Sequence, residues 1–415
     1  MHFLSHLSKS FFVDIGKRAC YNINVNIHNI FKERMYQMNF SRLDQYLSKI
    51  PDCGIPGCDL AVTYKGQQIY RGSAGFSDTQ GTRPVSENDL YYVFSISKIT
   101  TCVAAMRLVE EGKIGLDDPV SKYLPAYAYL NVKNENGKPV PAKNVMTVRH
   151  LFTMTGGLNY DLTSQPLTRE NQKPDADTVS FASAIADSPL EFEPGTRFQY
   201  SLCHDVLGAV VEVASGMRFA DYVQKHIFDP LGMKDSGYHL PDELFPRIAA
   251  MYTFTPGIMR ATPLPRERYN PYILNDRFDS GGAGLYSSVN DQLKLLTVLA
   301  CGGKTADGYS LLRPETIRML QVGQLTEETL PYFWSGRLYG YSWGLCGRVH
   351  VNPTVSDSLS PVGEFGWDGA AGAFALVDPE NELAFFFAMH VRSCTYAYHV
   401  LHPAIKNLVY SALKD

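Results

Sequence analysis

The stretch Phe94-Ser95-Ile96-Ser97-Lys98 carries the pattern Ser-x-x-Lys, and the rest of the chain is arranged around it. An aromatic, strand-like run from Leu90 to Phe94 precedes it. An apolar helical pattern follows (Val103, Ala104, Met106, Leu108, Val109) and closes at Gly112. Residues three apart on a helix share a face, so the Ser95 hydroxyl and the Lys98 amine meet within one turn. A hydroxyl attacks only once a base takes its proton. A lysine serves as that base only when neutral, a state favoured by burial or a nearby cation. A helix N-terminus beneath Ser95 adds partial positive charge and free N–H groups, which suit a developing oxyanion. The four-residue pattern is not specific by itself. It recurs at Ser411-Ala412-Leu413-Lys414, where a solvated helix end explains it.

Composition narrows the setting. The chain has 415 residues, 45% hydrophobic and 19% charged, enough for two packed domains or one large one. Its net charge of −4 offers no basic excess to neutralise phosphates, which argues against a nucleic-acid partner. The eight cysteines are irregularly spaced and include no Cys-x-x-Cys. They read as buried thiols of a reducing compartment rather than as zinc ligands. No apolar run reaches about 18 residues, so no membrane span is expected. Phe11-Phe12-Val13 is broken by Asp14 and makes a poor secretory signal, which gives the expectation of a cytoplasmic protein. Residues 1–37 read either as an appended N-terminal extension or as an extra helix covering the sheet; a capped amphipathic helix begins near Ser41.

In chain order, Asp59–Tyr64 and Gln68–Gly75 read as a hairpin about Lys65-Gly66-Gln67. From Leu116 to about Asp279, helical runs and loops dominate. They include helices at Thr147–Met154, Tyr200–Gly216 and Phe219–Phe228. Two irregular stretches, Asn159–Thr178 and Pro241–Tyr272, are candidate cleft walls. Helices follow at Asn290–Leu299 and Pro314–Gln321. Strand-like runs come next at Tyr339–Val349, Ala373–Val377 and Leu383–Met389, the last two joined by the turn Asp378-Pro379-Glu380-Asn381-Glu382. A helix at Tyr396–Leu413 closes the chain. The economical reading is an α+β fold. A discontinuous sheet domain (38–115 with 280–415) receives a mostly helical domain (116–279), and the active site lies at their interface.

Two further motifs bear on chemistry. Tyr200-Ser201-Leu202 opens a helix, and the Tyr200 phenol is placed to relay the Ser95 proton if Lys98 lowers its pKa. Gly366-Trp367-Asp368-Gly369-Ala370-Ala371-Gly372 lets backbone approach a substrate closely, with an N–H available as a second oxyanion donor. Against a Ser-His-Asp triad through His204-Asp205, or through His390, no Gly-x-Ser-x-Gly elbow exists. A metal site from His150, His204 and Glu212 lacks ligand spacing.

Taken in order, these segments resemble the serine β-lactamase-like superfamily, and within it the class C and family VIII carboxylesterase branch. The resemblance covers about residues 40–413. Phe94–Lys98 matches the nucleophile motif. Val148-Arg149-His150-Leu151 through Thr155-Gly156-Gly157-Leu158 is similar to a structural helix, with Gly156 where a Ser is usual. Tyr200-Ser201-Leu202 stands where β-lactamases carry Tyr-x-Asn, and Ser280–Ser287 is similar to a Gly-rich turn. Trp367-Asp368-Gly369 stands where β-lactamases carry Lys-Thr-Gly. Leu202 and Trp367 thus replace an amide-binding Asn and a carboxylate-binding Lys, and Tyr-Ser-Leu with Trp-x-Gly are the esterase forms. A carboxylated substrate loses a charge-assisted bond of roughly 1.5–3 kcal/mol. Asp368 adds a negative charge by the cleft, and Arg392 is a candidate substitute anchor.

The resemblance implies an antiparallel sheet flanked by helices and a serine hydrolase that needs no cofactor or metal. Its expected substrates are small-molecule esters with small or medium acyl groups. Ser95 is the expected nucleophile, Lys98 the base and Tyr200 the relay. The N–H groups of Ser95 and Ala370 form the oxyanion hole, and Trp367, Asp368, Gly369 and Leu202 contact substrate. The alternatives are a β-lactamase, a D-Ala-type carboxypeptidase or amidase, an acyl transferase, or an acyl-binding sensor that does not turn over.

Overall fold

A computed structural model describes residues 38–255, 257 and 260–414; the expected extension at 1–37 lies outside the described residues. Seven strands form one antiparallel sheet: β1 (Gly57–Tyr64), β2 (Gln67–Gly75), β3 (Tyr341–Gly344), β4 (Gly347–His350), β5 (Phe365–Asp368), β6 (Phe374–Asp378) and β7 (Leu383–Met389). Their order is β2-β1-β7-β6-β5-β4-β3. The first and last parts of the chain therefore meet in the middle of the sheet. Register runs from Cys58 opposite Met389 to Tyr64 opposite Leu383. The β1–β2 turn places Lys65 and Gly66 at φ +50° and +75°, the left-handed pair that matches strand twist in a two-residue hairpin.

Side-chain alternation along β7 divides the core in two. Phe385 and Phe387 face one layer, where Leu43 and Leu47 of α1 (Ser41–Ser48) and Ile405 and Val409 of the C-terminal helix cover the sheet. Ala384, Phe386 and Ala388 face the other layer. There they meet the buried helix α2 (Ser97–Glu110) and the helix α5 (Val289–Ala300). The same apolar cluster continues without a break into the segment between residues 116 and 279. It takes in Phe181 of α3 (Thr178–Ile185) and Val206 and Val210 of α4 (Cys203–Ser215).

Three local expectations change. The run Tyr339–Val349 is two strands, not one: the chain reverses at Leu345-Cys346, and Gly347 takes φ +113°. The helix expected from Tyr200 begins at Cys203, because Leu202 already accepts the first-turn bonds as its cap. Tyr200 and Ser201 are therefore left in the connecting loop. The closing helix opens with a π-helical turn, Ala397–Leu401, before α6 (His402–Ala412). The seven described cysteines are all free. No helix among the described residues is long and apolar enough to cross a membrane.

Candidate active site

Ser95 occupies a short turn, Phe94–Ile96, between the strand Leu90–Tyr92 and the start of α2. Phe94 has φ +48°, a conformation that costs a non-glycine residue about 1–3 kcal/mol and persists only when neighbours enforce it. Ser97 enforces it. Its hydroxyl donates to the Phe94 carbonyl at 2.6 Å and accepts the Leu285 N–H at 3.0 Å. The strained turn presents Ser95 to a cavity of about 540 Å³ lined mainly by Tyr160, Tyr200, Tyr272, Tyr398 and Trp367.

Lys98 is buried beneath this turn. Its Nζ lies 3.4 Å from Ser95 Oγ, 3.2 Å from Tyr160 Oη and 2.7 Å from the Gly282 carbonyl. Burial lowers its pKa to about 8, against the opposing pull of Asp205, Tyr272, Cys102 and Cys203. The motif therefore places the hydroxyl and the amine together, and the surroundings move the amine toward the neutral form a base requires.

The phenol bonded to Lys98 is Tyr160, not Tyr200. Lys98 Nζ instead faces the Tyr200 ring, 4.7 Å from its centroid. Tyr200 stacks on Tyr160 at 5.6 Å with the rings nearly parallel. Its hydroxyl accepts the Trp367 indole N–H at 3.0 Å. Burial raises the Tyr200 pKa, with Ser95 and Trp367 partly offsetting it. The expected lowering by Lys98 is thus corrected: Tyr200 stays protonated, suited to donate a proton rather than to hold a charge.

The substrate contacts divide. Trp367, Gly369 and Ala370 line the cavity. Among the described residues, no acceptor pairs with the backbone N–H of Ser95 or Ala370. Gly369 lies so close to the nucleophile turn that a Cβ there would fall 2.4 Å from the Val93 carbonyl. Leu202 does not reach the cavity. It is buried in the core beside Asn159 and Leu167, because the cap position turns it inward. Asp368 reaches the cavity wall but is not a bare negative charge. It pairs with Arg337, lies 3.9 Å from Arg348 and accepts from His402 at 3.2 Å. Burial opposes its ionisation, but Arg337, His402 and Arg348 outweigh burial and hold its pKa well below the carboxylate range. Arg392, the candidate anchor, instead donates to the Arg268 carbonyl; the cation on the cavity wall is Arg337.

Neither His204 nor His390 lines the cavity. His204 is buried against the Phe152 carbonyl, and burial lowers its pKa to about 3. His390 accepts the Tyr92 N–H and bonds the Ala249 carbonyl. No cluster of His, Cys, Asp and Glu among the described residues is arranged to hold a metal ion.

A family model described as Beta-lactamase matches residues 31–393. The chain belongs to the beta-lactamase family. Esterase EstB of Burkholderia gladioli is 30% identical over 347 residues, 78% of this chain and 82% of EstB. Protein Rv1367c of Mycobacterium tuberculosis is 28% identical over 375 residues, 84% of this chain and 90% of its own. Among solved structures, EstCE1, described as a hydrolase with promiscuous acyltransferase activity, superimposes with a TM-score of 0.73 at 24% identity. The match covers 92% of this chain and 100% of EstCE1. This is the antiparallel α+β fold of the beta-lactamase family, and the chain is one of its serine hydrolases.

Proposed function

We propose that this serine hydrolase is a carboxylesterase of neutral small-molecule esters. Ser95 Oγ attacks the ester carbonyl carbon while neutral Lys98 takes its proton. The carbonyl oxygen becomes an oxyanion held by the N–H groups of Ser95 and Ala370. As the tetrahedral species collapses, the bond to the alkoxy oxygen breaks. Tyr200 gives that oxygen its proton and is reprotonated from the Lys98 ammonium. Water then attacks the acyl-enzyme, its proton passing to the now neutral Lys98, which returns one to Ser95 as the acyl group leaves. Acid and ester-derived alcohol leave, and Lys98 is neutral again.

One observation carries this reading: a buried, pKa-lowered Lys98 lies 3.4 Å from a serine at the base of an open aromatic cavity. The cavity wall supports the choice of neutral esters. Its cation, Arg337, is already tied to Asp368, so a substrate carboxylate would compete with an existing charged partner. Free thiols suit action in a reducing compartment such as the cytoplasm.

Ser95→Ala should lower hydrolysis of p-nitrophenyl butyrate by roughly 10⁴-fold or more. Turnover near wild type would end the proposal. A wild-type preference for nitrocefin over the ester would instead favour lactam substrates.

A further inference from the structure

We propose that Asp205 is a positioning residue that acts on Lys98 through Gly282, fixing the direction of the amine and supplying its buried counter-charge. Asp205 stands in the first turn of α4 and is 3% exposed. One carboxylate oxygen accepts the Ser280 hydroxyl at 2.6 Å and the Gly282 N–H at 3.1 Å. The Gly282 carbonyl, on the far side of the same residue, accepts Lys98 Nζ at 2.7 Å. The chain of contacts is therefore Asp205, Gly282, Lys98, Ser95.

The second carboxylate oxygen of Asp205 is buried with no hydrogen-bond partner among the described residues. An oxygen left unpaired in a dry interior is costly unless a neighbouring charge compensates it. The nearby Lys98 ammonium supplies that compensation through space. Gly282 permits the approach, since a Cβ there would lie 2.4 Å from this oxygen. The other titratable groups facing Lys98 are the phenols of Tyr160, Tyr200 and Tyr272, the thiols of Cys102 and Cys203, and His204. Burial keeps the thiols and His204 neutral, and it raises all three phenols. Burial raises the Asp205 pKa too, opposed by Lys98, the Ser280 hydroxyl and the Gly282 N–H, so Asp205 is the carboxylate of this neighbourhood and its charge is tied to that of Lys98. It opposes the burial that drives Lys98 toward neutrality, and so sets the pH at which the base becomes competent.

This inference rests on the serine-hydrolase reading, and the experiment separates the two. The wild-type kcat/KM should fall tenfold per pH unit below about 8, where Lys98 becomes protonated. Asp205→Asn keeps an oxygen for Ser280 and Gly282 but removes the charge. Without the anion the ammonium is less stable, so the acid limb should move down by about one pH unit. The variant would then be relatively more active than wild type on the acid side. Asp205→Ala, which also frees the Gly282 peptide, should lower kcat at every pH by about tenfold or more, with little change in KM. A folded Asp205→Asn enzyme with an unmoved acid limb overturns the inference. If that variant does not fold, Ser280→Ala leaves the carboxylate with the Gly282 N–H alone and must displace the limb; an unmoved limb again overturns it. Ser95→Ala is the control. Its inactivity alongside an unmoved limb defeats only the role of Asp205, whereas its full activity defeats the hydrolase reading itself.

Discussion

At the scale of single residues, the two phenols near Ser95 have different work, and substitution should separate them. Tyr200 shares its hydroxyl with the Trp367 indole and lies beside Ser95, so Tyr200→Phe removes the proposed proton donor to the leaving group. The expected loss is about 10²–10³ in kcat. Tyr160 donates no proton in the proposed cycle; its oxygen accepts from Lys98 at 3.2 Å. Tyr160→Phe therefore costs one hydrogen bond to a charged group, about 1.5–3 kcal/mol at most, and should lower kcat less than Tyr200→Phe does. Steady-state rates of the two variants on one ester check this, and equal losses would assign Tyr160 a part in proton transfer. Ser95 and Lys98 were legible because three residues of separation at a helix start bring a hydroxyl and an amine to one face. Tyr200 was legible only as a tyrosine at a helix start. Tyr160 was not, because it comes from a loop whose Asn159 and Asp161 read as turn formers, and nothing local says which way its ring points. Asp205 was visible beside His204 but was weighed as a triad acid, since its true partner, Gly282, is distant in sequence.

At the scale of elements, the strand β5 carries the second half of the site, and a buried charge network holds it. Arg348 on β4 donates to Glu364 at 2.9 Å, just before β5, and approaches Asp368 at its end. Arg337 and His402 close on Asp368 from other segments. Removing Arg348 leaves the buried Glu364 without its cation, which is far more costly than the pair is stabilising. Arg348→Ala should therefore destabilise the protein by about 3–5 kcal/mol. Because β5 leads directly to Ala370, catalysis should fall along with stability. Urea midpoints together with kcat test this, and a loss within about 0.5 kcal/mol, the range of ordinary surface substitutions, would show the network to be inessential. The sequence showed the hairpin at 59–75, two residues short of where β1 begins, and the turn at 378–382, because glycine, proline and aspartate mark them. It did not show that 339–349 reverses, since Leu345-Cys346 is apolar and continues the strand-like composition across the turn. Nor did it show the Arg348–Glu364–Asp368 network, because charge pairing across strands depends on register, which only the assembled sheet defines.

At the scale of the whole molecule, the parts of the candidate site arrive from separate stretches: Ser95 in the turn before α2 and Lys98 on it, Tyr160 and Tyr200 from the 116–279 segment, Trp367 within β5 and Ala370 just beyond it. Composition along the chain gives the expectation of a sheet unit (38–115 with 280–415) and a helical unit (116–279). The packing does not stop at that division. One apolar cluster joins Phe386 on the sheet, Val103 on α2, and Phe181 and Val206 in the helical segment. Neither part can lose its structure without exposing apolar surface of the other, a penalty of about 25 cal/mol for each Å² uncovered. We propose, therefore, that the two parts unfold together. Trp343 and Trp367 are internal reporters of the site, because both pack on Tyr200. In urea, tryptophan fluorescence, far-ultraviolet circular dichroism and residual esterase activity should follow a single transition with one midpoint. If fluorescence and activity are lost well before the helical signal, the segment 116–279 is a separate folding unit and the shared core does not couple it to the sheet.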